Sequence, residues 1–188
     1  QQCRLPTSMK LVKEIKIEDP RRVCHYKGYT YVTRGSGRSI DRLHGHGGIT
    51  KGFIDVQSFV VGLIAHNDGL YIVIRDLNKT NVAVYELSGR PIKVHSWKHS
   101  DMGIFSGGIY CKPLTVFRDQ LVITDANKFT IYSLTGRLLK VVHCEKFTAS
   151  NVSLCHAGGD SIIVTNGDAS PAMLKFNLAT AAVEWTSN

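Results

Sequence analysis

The segment Tyr85-Glu86-Leu87-Ser88-Gly89-Arg90-Pro91-Ile92-Lys93-Val94 recurs as Tyr132-Ser133-Leu134-Thr135-Gly136-Arg137-Leu138-Leu139-Lys140-Val141. A worn copy follows at Phe176-Asn177-Leu178-Ala179-Thr180-Ala181-Ala182-Val183-Glu184-Trp185. Aligning Leu43, Leu87, Leu134 and Leu178 gives spacings of 44, 47 and 44 residues. A repeat of this length marks a propeller or a solenoid, because one unit cannot bury its own apolar face and must stack on the next.

Inside each unit the apolar residues recur at every second position, with polar or glycine-containing breaks between runs, as short antiparallel strands require. The second unit reads as strands over 60–65, 70–74, 82–85 and 92–97. Its turns are Asn67-Asp68-Gly69 and Ser88-Gly89-Arg90, where glycine is expected to take the positive φ of a tight hairpin. The whole chain is therefore expected to be an all-β propeller domain or fragment with four four-stranded antiparallel blades, spanning approximately 20–57, 59–98, 111–144 and 151–187. One more strand-like stretch, 11–17 (Leu11-Val12-Lys13-Glu14-Ile15-Lys16-Ile17), alternates apolar and polar residues but has no inner strands of its own. Propellers remove exposed sheet edges by closing the ring. That extra N-terminal strand therefore points to a larger propeller completed by further C-terminal blades. A closed four-bladed ring and closure by a second copy of the chain are the alternatives.

The chain has 188 residues, 43% hydrophobic and 20% charged. No apolar run approaches the ~20 residues of a membrane span, so no membrane association is expected. Gln1-Gln2-Cys3-Arg4-Leu5-Pro6 carries neither an initiator Met nor a hydrophobic signal core, as in a processed or excised fragment. Cys3, Cys24, Cys111, Cys144 and Cys155 are odd in number and widely spaced, which reads as reduced core thiols and a cytoplasmic protein. Asn78-Lys79-Thr80 and Asn151-Val152-Ser153 are glycosylation sequons that would act only in a secreted chain, the alternative location. A net charge of +8 favours an acidic partner.

Two units share a second strand ending in Arg or Asp, a short polar loop and a strand of the form Tyr-x-Leu-x-Gly-Arg. The residues are Ile74-Arg75-Asp76 with Val84-Tyr85-Glu86-Leu87-Ser88-Gly89-Arg90, and Thr124-Asp125-Ala126-Asn127-Lys128 with Ile131-Tyr132-Ser133-Leu134-Thr135-Gly136-Arg137. This pattern resembles NHL-type propeller repeats, as in the C-terminal propellers of tripartite-motif-like proteins. The last unit also looks like a blade of quinoprotein-like propellers. The NHL-type resemblance implies a non-enzymatic interaction module that binds RNA or protein and needs no cofactor.

Loops joining strand two to three, and strand four to the next strand one, gather on one face of a propeller. They place Arg21, Arg22, Arg34, Arg38, Arg75, Lys79, Lys98, Lys128 and Lys146 there as candidate partner-binding residues. Phe105, Tyr110 and Phe147 in the same loops could stack on bases of single-stranded RNA. An acidic protein partner would instead meet the same cations with carboxylates, using the long loop 98–110 as apolar anchor.

Other chemistry is weaker. His44-Gly45-His46 spaces two imidazoles for a metal but has no Cys, Asp or Glu nearby to complete the site. Asp76, Asp125 and Asp168 recur after strand two and would form the acidic channel mouth of a propeller enzyme, while more simply they accept loop N–H groups. Trp97 and Trp185 are candidate sugar-stacking residues of a secreted carbohydrate-binding propeller. No nucleophile elbow, phosphate loop or zinc-protease helix is present, so no catalytic or metal residue is assigned.

Overall fold

The computed structural model describes residues 14–35, 37–76, 79–101, 113–125, 128–144, 152–166 and 173–187. Blade 1 holds β1 (Pro20–Tyr26), β2 (Tyr29–Arg34), β3 (Ser39–His44) and β4 (Ile49–Asp55). Blade 2 holds β5 (Phe59–His66), β6 (Gly69–Asp76), β7 (Lys79–Glu86) and β8 (Ile92–Asp101). Blade 3 holds β9 (Leu114–Phe117), β10 (Gln120–Asp125), β11 (Lys128–Ser133) and β12 (Leu138–His143). Blade 4 holds β13 (Val152–His156), β14 (Ser161–Asn166), β15 (Met173–Asn177) and β16 (Ala182–Thr186).

Each sheet is antiparallel and follows chain order. β1 packs on β5, β5 on β9, and β9 on β13, so the first strand of every blade lines the axis. The result is an all-β propeller of four four-stranded blades.

The first turn of blades 1 to 3 is two residues long, because Tyr26 pairs with Tyr29, His66 with Gly69, and Phe117 with Gln120. Both residues of each turn have positive φ: Lys27 and Gly28, Asn67 and Asp68, Arg118 and Asp119. This mirror-image turn follows the right-handed twist of its strands. The positive φ expected at Gly69 thus falls on Asn67 and Asp68 instead. Gly69 answers a different need, since a Cβ there would stand 3.1 Å from the Tyr71 ring.

Among the described residues, three buried clusters join the blades. Tyr31, Ile40 and Ile54 meet Val60, Leu63, Leu70 and Ile72 between blades 1 and 2. Val73, Val82 and Val84 meet Leu114, Leu121 and Ile123 between blades 2 and 3. Phe129, Ile131 and Val142 meet Ile162, Val164 and Phe176 between blades 3 and 4. The inner strands β6, β7, β10 and β11 are buried on both faces, which is why their sequences read as nearly continuous apolar runs.

The polar turns repeat this stacking outside the cores. Lys27 Nζ donates to both Asp68 carboxylate oxygens at 2.8 and 2.9 Å. His66 Nε2 and Asn67 Nδ2 reach Asp119 Oδ1 at 2.8 and 3.2 Å, and Arg118 Nη1 reaches Asp160 Oδ1 at 3.1 Å. Each rung runs from the first turn of one blade to an aspartate at the corresponding turn of the next. Every rung has at least one largely exposed partner, so the rungs add little to stability.

Two sequence expectations change. The described part of the extra strand, 14–17, is not strand, and 11–13 lies outside the described residues. An isolated extended segment gains no ladder hydrogen bonds, and none of the four sheets takes it as a fifth strand. The blade 1 alignment also shifts: Leu43 pairs with Thr30, the place that Tyr85, Tyr132 and Phe176 hold opposite Leu70, Leu121 and Ile162. Blade 1 therefore has Gly45, not Leu43, where the other blades have Leu87, Leu134 and Leu178.

Candidate functional site

The β2–β3 and β4–β5 loops meet at one end of blades 1 and 2. The two loops are tied together, Val56 N donating to Arg38 O at 2.9 Å and Val60 N to Gly37 O at 2.9 Å. Several of the candidate cations lie at this rim.

Arg22, Arg34 and Arg21 are held by neighbouring groups. Arg22 bridges two blades, its Nε donating to Val61 O at 3.1 Å and its Nη1 to Arg21 O at 2.8 Å. Arg34 pairs with Asp41, which is 2% exposed and also accepts from Gly52 N at 2.8 Å. Gly52, at φ +60, stands where the β3–β4 register slips, so the pair anchors a bulge. Arg21 meets Asp19 at 3.0 Å on the surface.

Arg38 and Arg75 flank one ring. Phe59 opens β5 and is 37% exposed. The Arg38 guanidinium lies 5.2 Å from its centroid, and Arg75 is its partner across the β5–β6 ladder. Lys79 and Lys98 are exposed farther along blade 2, and Lys128 is half-buried at the start of β11. Asp76 is also exposed on this rim, paired in register with Lys79. Lys146, Phe105, Tyr110 and Phe147 lie outside the described residues.

Other candidates disperse. His44 Nε2 contacts Thr50 Oγ1 at 3.4 Å, and its ring meets Tyr29 edge-on. No group of three metal-capable side chains occurs among the described residues. Asp76 and Asp125 end β6 and β10, while Asp168 lies outside the described residues. Trp97 packs 5.8 Å from the Tyr132 ring, as a core element rather than a free sugar platform. Trp185 is exposed beside Lys175.

Glu184, in the same strand as Trp185, takes hydrogen bonds from Asn177 Nδ2 and Ser161 Oγ, each at 2.8 Å, and pairs with Lys175 at 2.9 Å. Asn177, then Lys175 and Ser161, pull its carboxyl down to about 2. Its contribution to stability is complete above the ordinary carboxylate range and is lost as pH falls toward 2.

The thiols are not uniformly buried. Cys144 is buried, Cys24 half-buried and Cys155 exposed on β13. Burial pushes the Cys24 thiol up to about 12, opposed by a backbone hydrogen bond from Ala65. Iodoacetamide at about pH 8 should therefore label Cys155 at least about tenfold faster than Cys24. Peptide mass spectrometry of the folded protein reads this directly, and equal rates would contradict the β1–β5 packing.

A cleft of about 260 Å³ was not anticipated. It opens at the other end of the blades, between the β1–β2 turn of blade 1 and the β5–β6 and β7–β8 turns of blade 2, and is lined by Tyr26, Tyr29, Tyr31, Arg42, Lys27 and Asp68 with the segment 87–89. The available signal was Arg42, a charge where register places Val84 and Ile131 in blades 2 and 3. The misplaced Leu43 hid it.

A scan against protein families finds no match, and a search of curated proteins finds none. Solved structures do match. A nidogen/laminin complex aligns with TM-score 0.62 at 13% identity, over 86% of this chain and 59% of that one. Streptogramin B lyase aligns with TM-score 0.61 at 13% identity, over 90% and 55%. Myxococcus xanthus glutaminyl cyclase aligns with TM-score 0.61 at 16% identity, over 93% and 75%. The chain thus spans little more than half the length of the first two. At these identities the likeness is one of fold, shared by proteins named as enzymes and by others, and the chain is similar to them as a β-propeller.

Proposed function

We propose that the chain is a non-enzymatic interaction module whose rim binds an acidic protein segment, with Phe59 as the apolar anchor. The observation that supports this is the half-open Phe59 ring between Arg38 and Arg75. An aromatic flanked by arginines is the composition of binding hot spots, where the ring supplies buried area and the guanidinium groups meet carboxylates. Lys79, Lys98 and Lys128 extend the positive surface, and Asp76 interrupts it. Such mixed charge suits a patterned protein surface better than the uniform charge of a phosphate backbone.

The test is fluorescence anisotropy with two probes, a glutamate-rich peptide carrying one leucine and single-stranded poly-U. The peptide should bind more tightly, and Phe59→Ala should weaken it by about tenfold. Tighter binding of poly-U with a steep salt dependence would replace the acidic-protein reading with RNA. An unchanged affinity in Phe59→Ala would remove the anchor.

A further inference from the structure

We propose that the cleft around Arg42 is a binding site for a small carboxylate with a body about the size of one ring. It lies at the opposite end of the blades from the Phe59 rim and does not depend on that reading.

Arg42 occupies an inter-blade position that blades 2 and 3 fill with the buried side chains Val84 and Ile131. A guanidinium there requires compensation, because desolvating a charge without a partner is costly. Its compensation within the protein is aromatic. The group lies 4.1 Å from the Phe53 centroid and 5.0 Å from that of Tyr29. Such contacts stabilise a cation over ring faces but leave the N–H donors unused. Arg42 Nε is buried and has no hydrogen-bond partner.

The rest of the lining defines the ligand. Arg42 and Lys27 against Asp68 leave one net positive charge, which suits a monoanion. Lys27 is held by Asp68 at the mouth, both side chains being largely exposed. Arg42 therefore remains the cation for the ligand, and its planar fork matches the two oxygens of a carboxylate. Tyr26, Tyr29 and Tyr31 supply apolar walls. Tyr26 Oη already accepts from Asp68 N at 3.0 Å, which fixes that wall against the next blade. A volume of about 260 Å³ lies below the ~300–1,000 Å³ of pockets for drug-sized ligands, so the fitting body is a single ring or short chain.

The experiment titrates the full chain with benzoate and with benzamide, its uncharged counterpart, following backbone amide shifts by NMR. Benzoate should saturate with shifts centred on Tyr29, Arg42 and Gly89, at least about tenfold more tightly than benzamide. Arg42→Val should fold, since Val and Ile serve at the equivalent positions, and should lose benzoate binding. Should Arg42→Val not fold, Arg42→Met keeps an unbranched apolar stem between the two rings for the same readout. A short peptide with a free C-terminal Phe, compared with its amide, separates the sources. Tighter binding than benzoate assigns the cleft to chain ends, weaker binding to free acids. Equal affinity for benzoate and benzamide, no saturable benzoate binding, or benzoate binding retained by the folded Arg42 variant would each overturn the proposal.

Discussion

Gly136→Ala should lower stability by about 2–4 kcal/mol, whereas Gly89→Ala, at the same place in the preceding repeat, should change it by less than about 0.5 kcal/mol. The two glycines sit in the sequences Thr135-Gly136-Arg137 and Ser88-Gly89-Arg90, which look interchangeable. They are not equivalent in space. Gly136 has φ +94, and a Cβ built on it would stand 2.6 Å from two atoms of the Trp97 indole. That indole is packed against Tyr132 and the cluster between blades 2 and 3, so it has little room to withdraw. Gly89 meets nothing within 4 Å and has an ordinary φ. Urea denaturation of both variants compares them directly. Equal losses would show that the glycine serves the hairpin itself rather than the seat of Trp97.

Phe129→Ala should cost about 3–5 kcal/mol. Phe129 and Phe176 are 0% and 1% exposed, with ring centroids 5.1 Å apart across the boundary of blades 3 and 4. Truncating either removes a large buried surface and leaves a cavity that stiff neighbouring strands cannot collapse to fill. The doubly substituted chain should be less destabilised than the sum of the two single losses by about 0.5–1.5 kcal/mol, since the ring pair is lost only once. Additive losses within error would mean that the rings act as independent fillers.

Strand positions were legible because turn residues break the sequence into short apolar-rich runs. Thus Leu121 to Thr124 and Phe129 to Tyr132 fall inside β10 and β11. Blade 1 was legible as strands but not in register, because it lacks the Leu-x-Gly-Arg hairpin that aligns the next two blades. The rim was half legible. Loop position brings Arg38 and Arg75 to Phe59, but it cannot reveal that Val61 O lies within reach of Arg22 or that Asp41 meets Arg34. Those partners come from an adjacent blade and an adjacent strand. The Arg42 cleft was illegible for a related reason: its walls come from turns of two blades, and no local run of sequence contains them.

The polar rungs between first turns carry a consequence for how such a chain can be rearranged. Blade 2 offers His66 and Asn67 forward and Asp68 backward, and blade 3 offers Arg118 forward and Asp119 backward. Each middle blade is thus a coupling with the same plug at one end and the same socket at the other. A tandem duplication of blade 2 would find a donor behind it and an acceptor ahead without a single compensating substitution at these turns. Trp97 is less forgiving, because the hairpin that follows it in space must carry a glycine like Gly136. Copy number is loosely governed at the surface joint, and neighbour identity is checked by one indole ring.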